Sequence, residues 1–153
     1  MKQIKFLTLL LVALSFISLS SCSNDENEVQ DVRDQYVGTW NSISTGSATL
    51  FQNGQSIGTI PLNETSTVSI SKSGSSALLI DGTAYIVNGT NLSSNPTPVN
   101  ENSDGFNIVG TALSNGNLSS NIISLNGAIT GTWNANTGAS GNLSGNVITT
   151  LTR

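Results

Sequence analysis

The chain contains few residues that perform chemistry. It has no histidine and a single cysteine, Cys22, which excludes Ser-His-Asp and Cys-His nucleophiles and the common zinc sites. Two carboxylates could still hydrolyse a glycosidic bond, and the acids beyond residue 35 are Glu64, Asp81, Glu101 and Asp104. Asp81 falls in a predicted tight turn and the last two in a polar loop. We therefore expect solvated surface groups, no enzyme and no cofactor.

The segment Asn100–Gly105 is rich in oxygen ligands and is similar to the start of a calcium-binding loop. Such a loop needs a bidentate Glu at its twelfth position, where this chain has Thr111. We interpret the segment as a polar turn that leads into Phe106, and we expect no metal site.

The N-terminus has the pattern of an export signal. Lys2 and Lys5 precede an apolar run from Phe6 to Leu19, which is shorter than the roughly 20 residues of a membrane span. The sequence Leu19-Ser20-Ser21-Cys22 then resembles the lipobox of bacterial lipoproteins. The resemblance implies a signal peptide over residues 1–21 and a diacylglyceryl anchor on Cys22. The alternative is an ordinary secretory signal with a chance cysteine.

Residues 22–35 are predicted to form an acidic tether. Five of the nine acids of the chain lie between Asp25 and Asp34, so the segment repels itself and extends. An acidic stretch after the lipidated cysteine resembles the export signal of surface lipoproteins in some Gram-negative bacteria, and Ser23 does not resemble a retention signal. We expect a protein on the outer face of the outer membrane, the periplasmic face being the alternative.

Residues 36–153 are expected to form one domain with a polar surface of low charge. Only Lys72 and Arg153 are basic there, so no basic stripe could bind nucleic acid. Five Asx-Gly pairs suit type I′ hairpin turns, at Asn53-Gly54, Asp81-Gly82, Asn88-Gly89, Asn115-Gly116 and Asn126-Gly127.

Short apolar and β-branched runs lie between these turns, and several alternate with polar residues as half-buried strands do. The pattern predicts an all-β fold, an antiparallel up-and-down barrel of about eight strands, with a β-sandwich as the alternative. Asn95-Pro96-Thr97-Pro98 and the segment Asn100–Gly105 are predicted to form the one long loop.

A tetrapeptide occurs twice, as Gly38-Thr39-Trp40-Asn41 and as Gly131-Thr132-Trp133-Asn134. Each copy leads into a predicted turn with Thr-Gly, at Thr45-Gly46 and at Thr137-Gly138. In a closed barrel the first and last strands pair, which predicts that the two hairpins lie side by side. Trp40 and Trp133, with Gly38 and Gly131, are candidates for packing at the barrel floor. The alternative is that they contact a ligand.

The first copy resembles the Gly-x-Trp signature of calycins, the lipocalin and avidin-like barrels. The domain also resembles the small lipocalin-like lipoproteins of Gram-negative bacteria. That resemblance implies a non-catalytic barrel that binds a small apolar ligand, with Arg153 as the candidate to pack on the tryptophan. The alternative is a structural or adhesive module whose Ser, Thr and Asn faces meet glycans or proteins.

Overall fold

A computed structural model of the chain describes residues 30–103 and 105–153. The predicted signal peptide, the lipobox residues Leu19, Ser20 and Ser21, Cys22 and Asp104 lie outside the described residues. Apart from a short 3₁₀ turn at Asp34–Tyr36, the regular structure of the described part consists of β-strands. No helix in this part is long and apolar enough to cross a membrane.

Within the described residues ten strands follow one another with short connections, and all their pairings are antiparallel. Their bounds are β1 (Gly38–Gln52), β2 (Gln55–Pro61), β3 (Glu64–Ser73), β4 (Ala77–Ile80), β5 (Thr83–Asn88), β6 (Asn91–Ser94), β7 (Thr97–Ser103), β8 (Phe106–Ser119), β9 (Ile122–Ala135) and β10 (Ser140–Thr152).

Eight of these strands form a closed ring in the order β1-β3-β4-β5-β6-β8-β9-β10, which the pairing of β10 with β1 completes. The predicted all-β barrel is therefore confirmed. The four long strands β1, β8, β9 and β10 extend beyond the ring. There β2 pairs with the end of β1 and β7 with the start of β8, so this part is an open sheet with two free edges.

We call the closed part the ring half and the extended part the open half. The ring half contains the start of β1 at Gly38–Ser44 and the end of β10 at Val147–Thr152. The open half contains Ser47–Gln52 of β1 and Ser140–Asn146 of β10. Each half has a hydrophobic core of its own, around Trp40 in the ring half and around Trp133 in the open half.

Turn chemistry explains two of the hairpins directly. Asn53 and Gly54 have φ angles of 50° and 78°, and Asp81 and Gly82 have 46° and 81°. These are the left-handed conformations of a type I′ turn, which Asx and Gly adopt most readily. They set the β1–β2 and β4–β5 hairpins.

Three other turn expectations are wrong. Thr45-Gly46 lies inside β1, while Asn115-Gly116 and Asn126-Gly127 lie inside β8 and β9. Asn115 and Asn126 face each other across the β8–β9 ladder. The pairs in β8 and β9 have neighbours on both sides, and Thr45-Gly46 is paired with Ile148 and Val147 of β10. The ladders therefore override the local turn preference.

The predicted long loop is also a strand in large part. β7 pairs along its whole length with β8, and Pro98 stands opposite Thr111. Since β7 is an edge strand, the missing N–H of Pro98 costs no hydrogen bond in the sheet.

Residues at the end of the predicted tether pack on the ring. The guanidinium of Arg33, which is buried, donates hydrogen bonds to the carbonyl oxygens of Gly74 (3.1 Å) and Ala77 (3.0 Å) at the β3–β4 turn. Asp34 forms an ion pair with Lys72 of β3. These contacts place the chain that leads to the barrel against this end of the ring.

Candidate functional site

Trp40 lies at the end of the ring where the chain enters β1. Its side chain is 1% exposed, and its indole N–H donates to the carbonyl oxygen of Tyr36 at 2.8 Å. The guanidinium of Arg153 lies 4.9 Å from the centroid of the indole ring and donates to the carbonyl oxygen of Val37 at 2.6 Å. Gly38, with φ of 130°, lies beneath this arginine. The arrangement closes one end of the ring.

Trp133 has a similar environment at the opposite end of the molecule. It is also 1% exposed, its indole N–H donates to the carbonyl oxygen of Phe51 at 3.3 Å, and Phe106 packs edge-on at 5.9 Å. Phe51 lies eleven residues beyond Trp40 on β1, roughly 35 Å along an extended strand. The first and last strands pair as predicted, but the two tryptophans do not form one floor.

Gly131, two residues before Trp133, faces Gly110 of β8 across the ladder. A Cβ on Gly131 would lie 2.3 Å from the carbonyl oxygen of Val109, and a Cβ on Gly110 would lie 2.4 Å from that of Thr130. Only glycine allows the strands to approach in this way. The second copy of the tetrapeptide therefore uses its glycine for close strand packing.

The outward-facing side chains of β1, β8, β9 and β10 form a surface that we call the outer face. Most of them are Ser, Thr or Asn, and none is charged. One row crosses five neighbouring strands in register. This hydroxyl row consists of Thr111, Thr130, Ser144, Thr49 and Thr59.

A groove of about 420 Å³ opens on the outer face between β1 and β10. Thr49 and Ser144 of the hydroxyl row line it together with Asn146, while Phe51 and Ile148 supply apolar walls. Hydroxyl and amide groups both donate and accept hydrogen bonds. The groove thus combines uncharged hydrogen-bonding groups with one aromatic ring.

A second cavity, of about 200 Å³, lies inside the barrel, where the ring half meets the open half. We call it the mouth cavity. Its polar lining includes Ser42, Ser44, Ser66, Thr83, Tyr85, Thr149, Glu64 and Asp81. Leu125 and Leu151 of the ring core also line it. The interior is therefore polar at this level.

A third cavity, of about 350 Å³, adjoins the mouth cavity, and we call it the side cavity. The two share Ser44, Glu64 and Thr149, and the hydroxyls of Ser44 and Thr149 are hydrogen-bonded at 2.8 Å. Pro61, Leu62 and Val147 give the side cavity a partly apolar wall. Trp40 and Trp133 line none of these three cavities.

The four carboxylates considered for catalysis are separated by the fold. Glu64 and Asp81 both line the mouth cavity and are exposed, Glu101 lies on the edge strand β7, and Asp104 is outside the described residues. No three metal-binding side chains of the described residues lie close enough together to hold an ion. Glu64 and Asp81 are both candidates from the sequence, but the sequence did not predict that they line the same cavity.

The interior serines and threonines were missed altogether. Ser42 and Ser66 stand at inward positions of β1 and β3, where the alternation predicts apolar residues. A polar residue at an inward strand position was the available signal.

Comparison with known proteins finds no family model, no curated protein and no solved structure that matches this chain. The geometry of the outer face and the mouth cavity is therefore the basis for assigning a function.

Proposed function

We propose that the protein is a bacterial lipoprotein, held by lipid on Cys22 at the outer face of the outer membrane. Its lipocalin-like barrel binds uncharged surface partners, glycans above all, without catalysing a reaction. The observation that carries the binding proposal is the outer face, on which most outward side chains of four long strands are Ser, Thr or Asn and none is charged.

The chemistry of the outer face suits a neutral polyhydroxylated partner. Each Ser, Thr and Asn side chain both donates and accepts hydrogen bonds, as do sugar hydroxyls. Neighbouring strands repeat at about 4.8 Å, so the hydroxyl row offers regularly spaced contacts across five strands. A face without charge offers no electrostatic attraction to acidic or basic polymers.

The groove between β1 and β10 provides a place where such contacts are concentrated. Thr49, Ser144 and Asn146 would bond to sugar hydroxyls, and Phe51 would cover an apolar sugar face. The non-catalytic part of the proposal rests on residue content, because the chain has no histidine and only one cysteine.

Lipid attachment is tested by metabolic labelling with palmitate. The full chain is expected to incorporate label and to fractionate with membranes, and Cys22→Ala is expected to do neither. Ser23→Ala, next to the lipobox, is the matched control and should behave as wild type. Labelled and membrane-bound Cys22→Ala would refute the anchor.

Glycan binding is tested with the full chain, purified in a polyoxyethylene detergent, on immobilised neutral and acidic polysaccharides. We expect binding to neutral polymers, weakened about tenfold by Thr130→Lys, which places an unpaired charge in the hydroxyl row. Ala84→Lys adds the same charge at an exposed position of β5 and should leave binding unchanged. Equal effects of both lysines would refute the assignment to the outer face.

A second candidate function is the binding of a small apolar ligand inside the barrel. The side cavity favours it, because about 350 Å³ lies within the size range of ligand pockets and Pro61, Leu62 and Val147 line it. Native mass spectrometry of the gently purified full chain tests this candidate. A co-purified apolar molecule would support it, and its absence would count against it.

A further inference from the structure

Two residues that line the mouth cavity are almost wholly buried, yet their hydroxyls make no hydrogen bond to the described part of the protein. Ser42 is 5% exposed and Tyr85 is 6% exposed, and both line this cavity. Within residues 30–103 and 105–153, neither side chain hydrogen-bonds to another protein group. Every buried side-chain nitrogen and oxygen atom of the described residues has a hydrogen-bond partner, so these two hydroxyls are reached from the cavity, where they can donate to and accept from a polar occupant.

The charge of the lining restricts that occupant further. Among the described residues that line the cavity, Glu64 and Asp81 are the charged ones, and both are acidic. The basic side chains of the described barrel are engaged elsewhere, since Lys72 pairs with Asp34 and Arg153 lies over Trp40. An occupant that carries a positive charge would therefore gain charge-assisted hydrogen bonds from the carboxylates.

The volume of the mouth cavity restricts the occupant in a third way. A cavity of about 200 Å³ has room for about seven water molecules at roughly 30 Å³ each, which is the space of one sugar ring with its substituents. Ser66, Thr83 and the Ser44–Thr149 pair add hydroxyls around this space. Hydroxyls on the ligand would match hydroxyls on the wall, because each can donate and accept.

We propose that the mouth cavity is a binding site for a small hydroxylated amine of the size of an amino sugar. Glu64 and Asp81 hold the ammonium group at the rim, and the hydroxyls of Ser42 and Tyr85 that face the cavity bond to the ligand hydroxyls inside. The site lies within the barrel and is independent of the proposed binding by the outer face. It also differs in chemistry from the apolar ligand considered for the side cavity.

Calorimetric titration of the full chain in polyoxyethylene detergent tests the proposal with glucosamine and glucose as probes. The two differ in one substituent, and only glucosamine is a cation at neutral pH. We expect glucosamine to bind at least about tenfold more tightly than glucose, since hydrogen bonds to charged groups are the stronger ones. No heat with glucosamine, or equal affinity for both sugars, would overturn the proposal.

Variants of the lining residues test whether glucosamine binds in the mouth cavity. Glu64→Gln removes one charge with little change of shape and should weaken glucosamine binding about tenfold. Asp81→Asn should do the same while keeping the turn, because Asn also adopts the left-handed conformation. Glu101→Gln, on the edge strand β7, is the matched control and should bind as wild type.

Ser42→Ala tests the hydroxyl of the cavity wall separately and removes only one oxygen. We expect weaker binding of glucosamine with an unchanged circular dichroism spectrum. Unchanged affinity in both Glu64→Gln and Ser42→Ala would overturn the proposal. So would tight binding of calcium chloride that displaces glucosamine, since that outcome would assign the carboxylates to a metal ion.

Discussion

The ring half and the open half build their cores around the same tetrapeptide, yet they differ in how the sheet is completed. In the ring half every strand has two neighbours, and Arg33, Tyr36 and Arg153 cover the end beside Trp40. In the open half the sheet ends at the free edges of β2 and β7, and many residues around Trp133 are only partly buried.

The difference indicates that the two halves of the long strands differ in local stability. Closed pairing and a fully buried core make the ring half the stable unit, whereas exposed edges and partial burial make the open half easier to open locally. The outer-face groove lies on the β1–β10 pair, and the mouth cavity lies where the halves meet. The groove thus lies mostly on the open half, and the mouth cavity lies at the boundary with the more stable ring half.

The largest expected effect comes from truncating the two tryptophans. We expect Trp40→Ala to cost about 5 kcal/mol and Trp133→Ala about 3 kcal/mol, the two ends of the usual range, because a closed ring collapses less around a cavity. Urea unfolding followed by circular dichroism measures both. Equal losses, or a larger loss for Trp133→Ala, would contradict the comparison.

The next largest loss of stability is expected from adding a methyl group where Gly131 faces Gly110 across the β8–β9 ladder. Gly131→Ala brings a Cβ within 2.3 Å of the carbonyl oxygen of Val109, and we expect a cost of about 2 kcal/mol from the forced shift. Gly58→Ala on β2 is the matched control, because nothing lies within 4 Å of its Cβ position. A Gly131→Ala protein as stable as Gly58→Ala would show that the close approach is unimportant.

The smallest loss of stability should come from replacing Arg153, which packs on Trp40 at the end of the ring. Arg153→Met keeps much of the packing on Trp40 but loses the cation–π contact, for which we expect a cost of about 1 kcal/mol. Arg153→Lys restores the charge without the planar group and should recover part of the loss. Thermal unfolding of the three proteins gives the order, and a stabilised Arg153→Met would contradict it.

Much of the fold could be predicted from turn chemistry, and the errors have a common cause. Asn53-Gly54 and Asp81-Gly82 form turns because the chain there is free to reverse, and Asn115-Gly116 does not because β8 is paired on both sides. Local preference decides only where tertiary pairing does not. Pro98 was misleading for the same reason, since an edge strand tolerates it.

The candidate sites were harder to predict than the fold. The hydroxyl row joins residues as far apart in sequence as Thr49 and Ser144, so it exists only through the register of β1 and β10. The mouth cavity likewise joins Ser42 with Tyr85 through a ring of paired strands. Alternation predicts which side a residue faces, but not which residues meet inside a closed barrel.

The central claim is that a stable ring carries a more easily opened half, and native-state hydrogen exchange along β9 tests it most directly. Ile122–Gly127 lies in the ring half and Ala128–Ala135 in the open half, and both stretches are paired with β8 and β10. We predict that amides of the second stretch exchange at least about tenfold faster through local opening. Equal protection along the whole of β9 would contradict the division between the two halves.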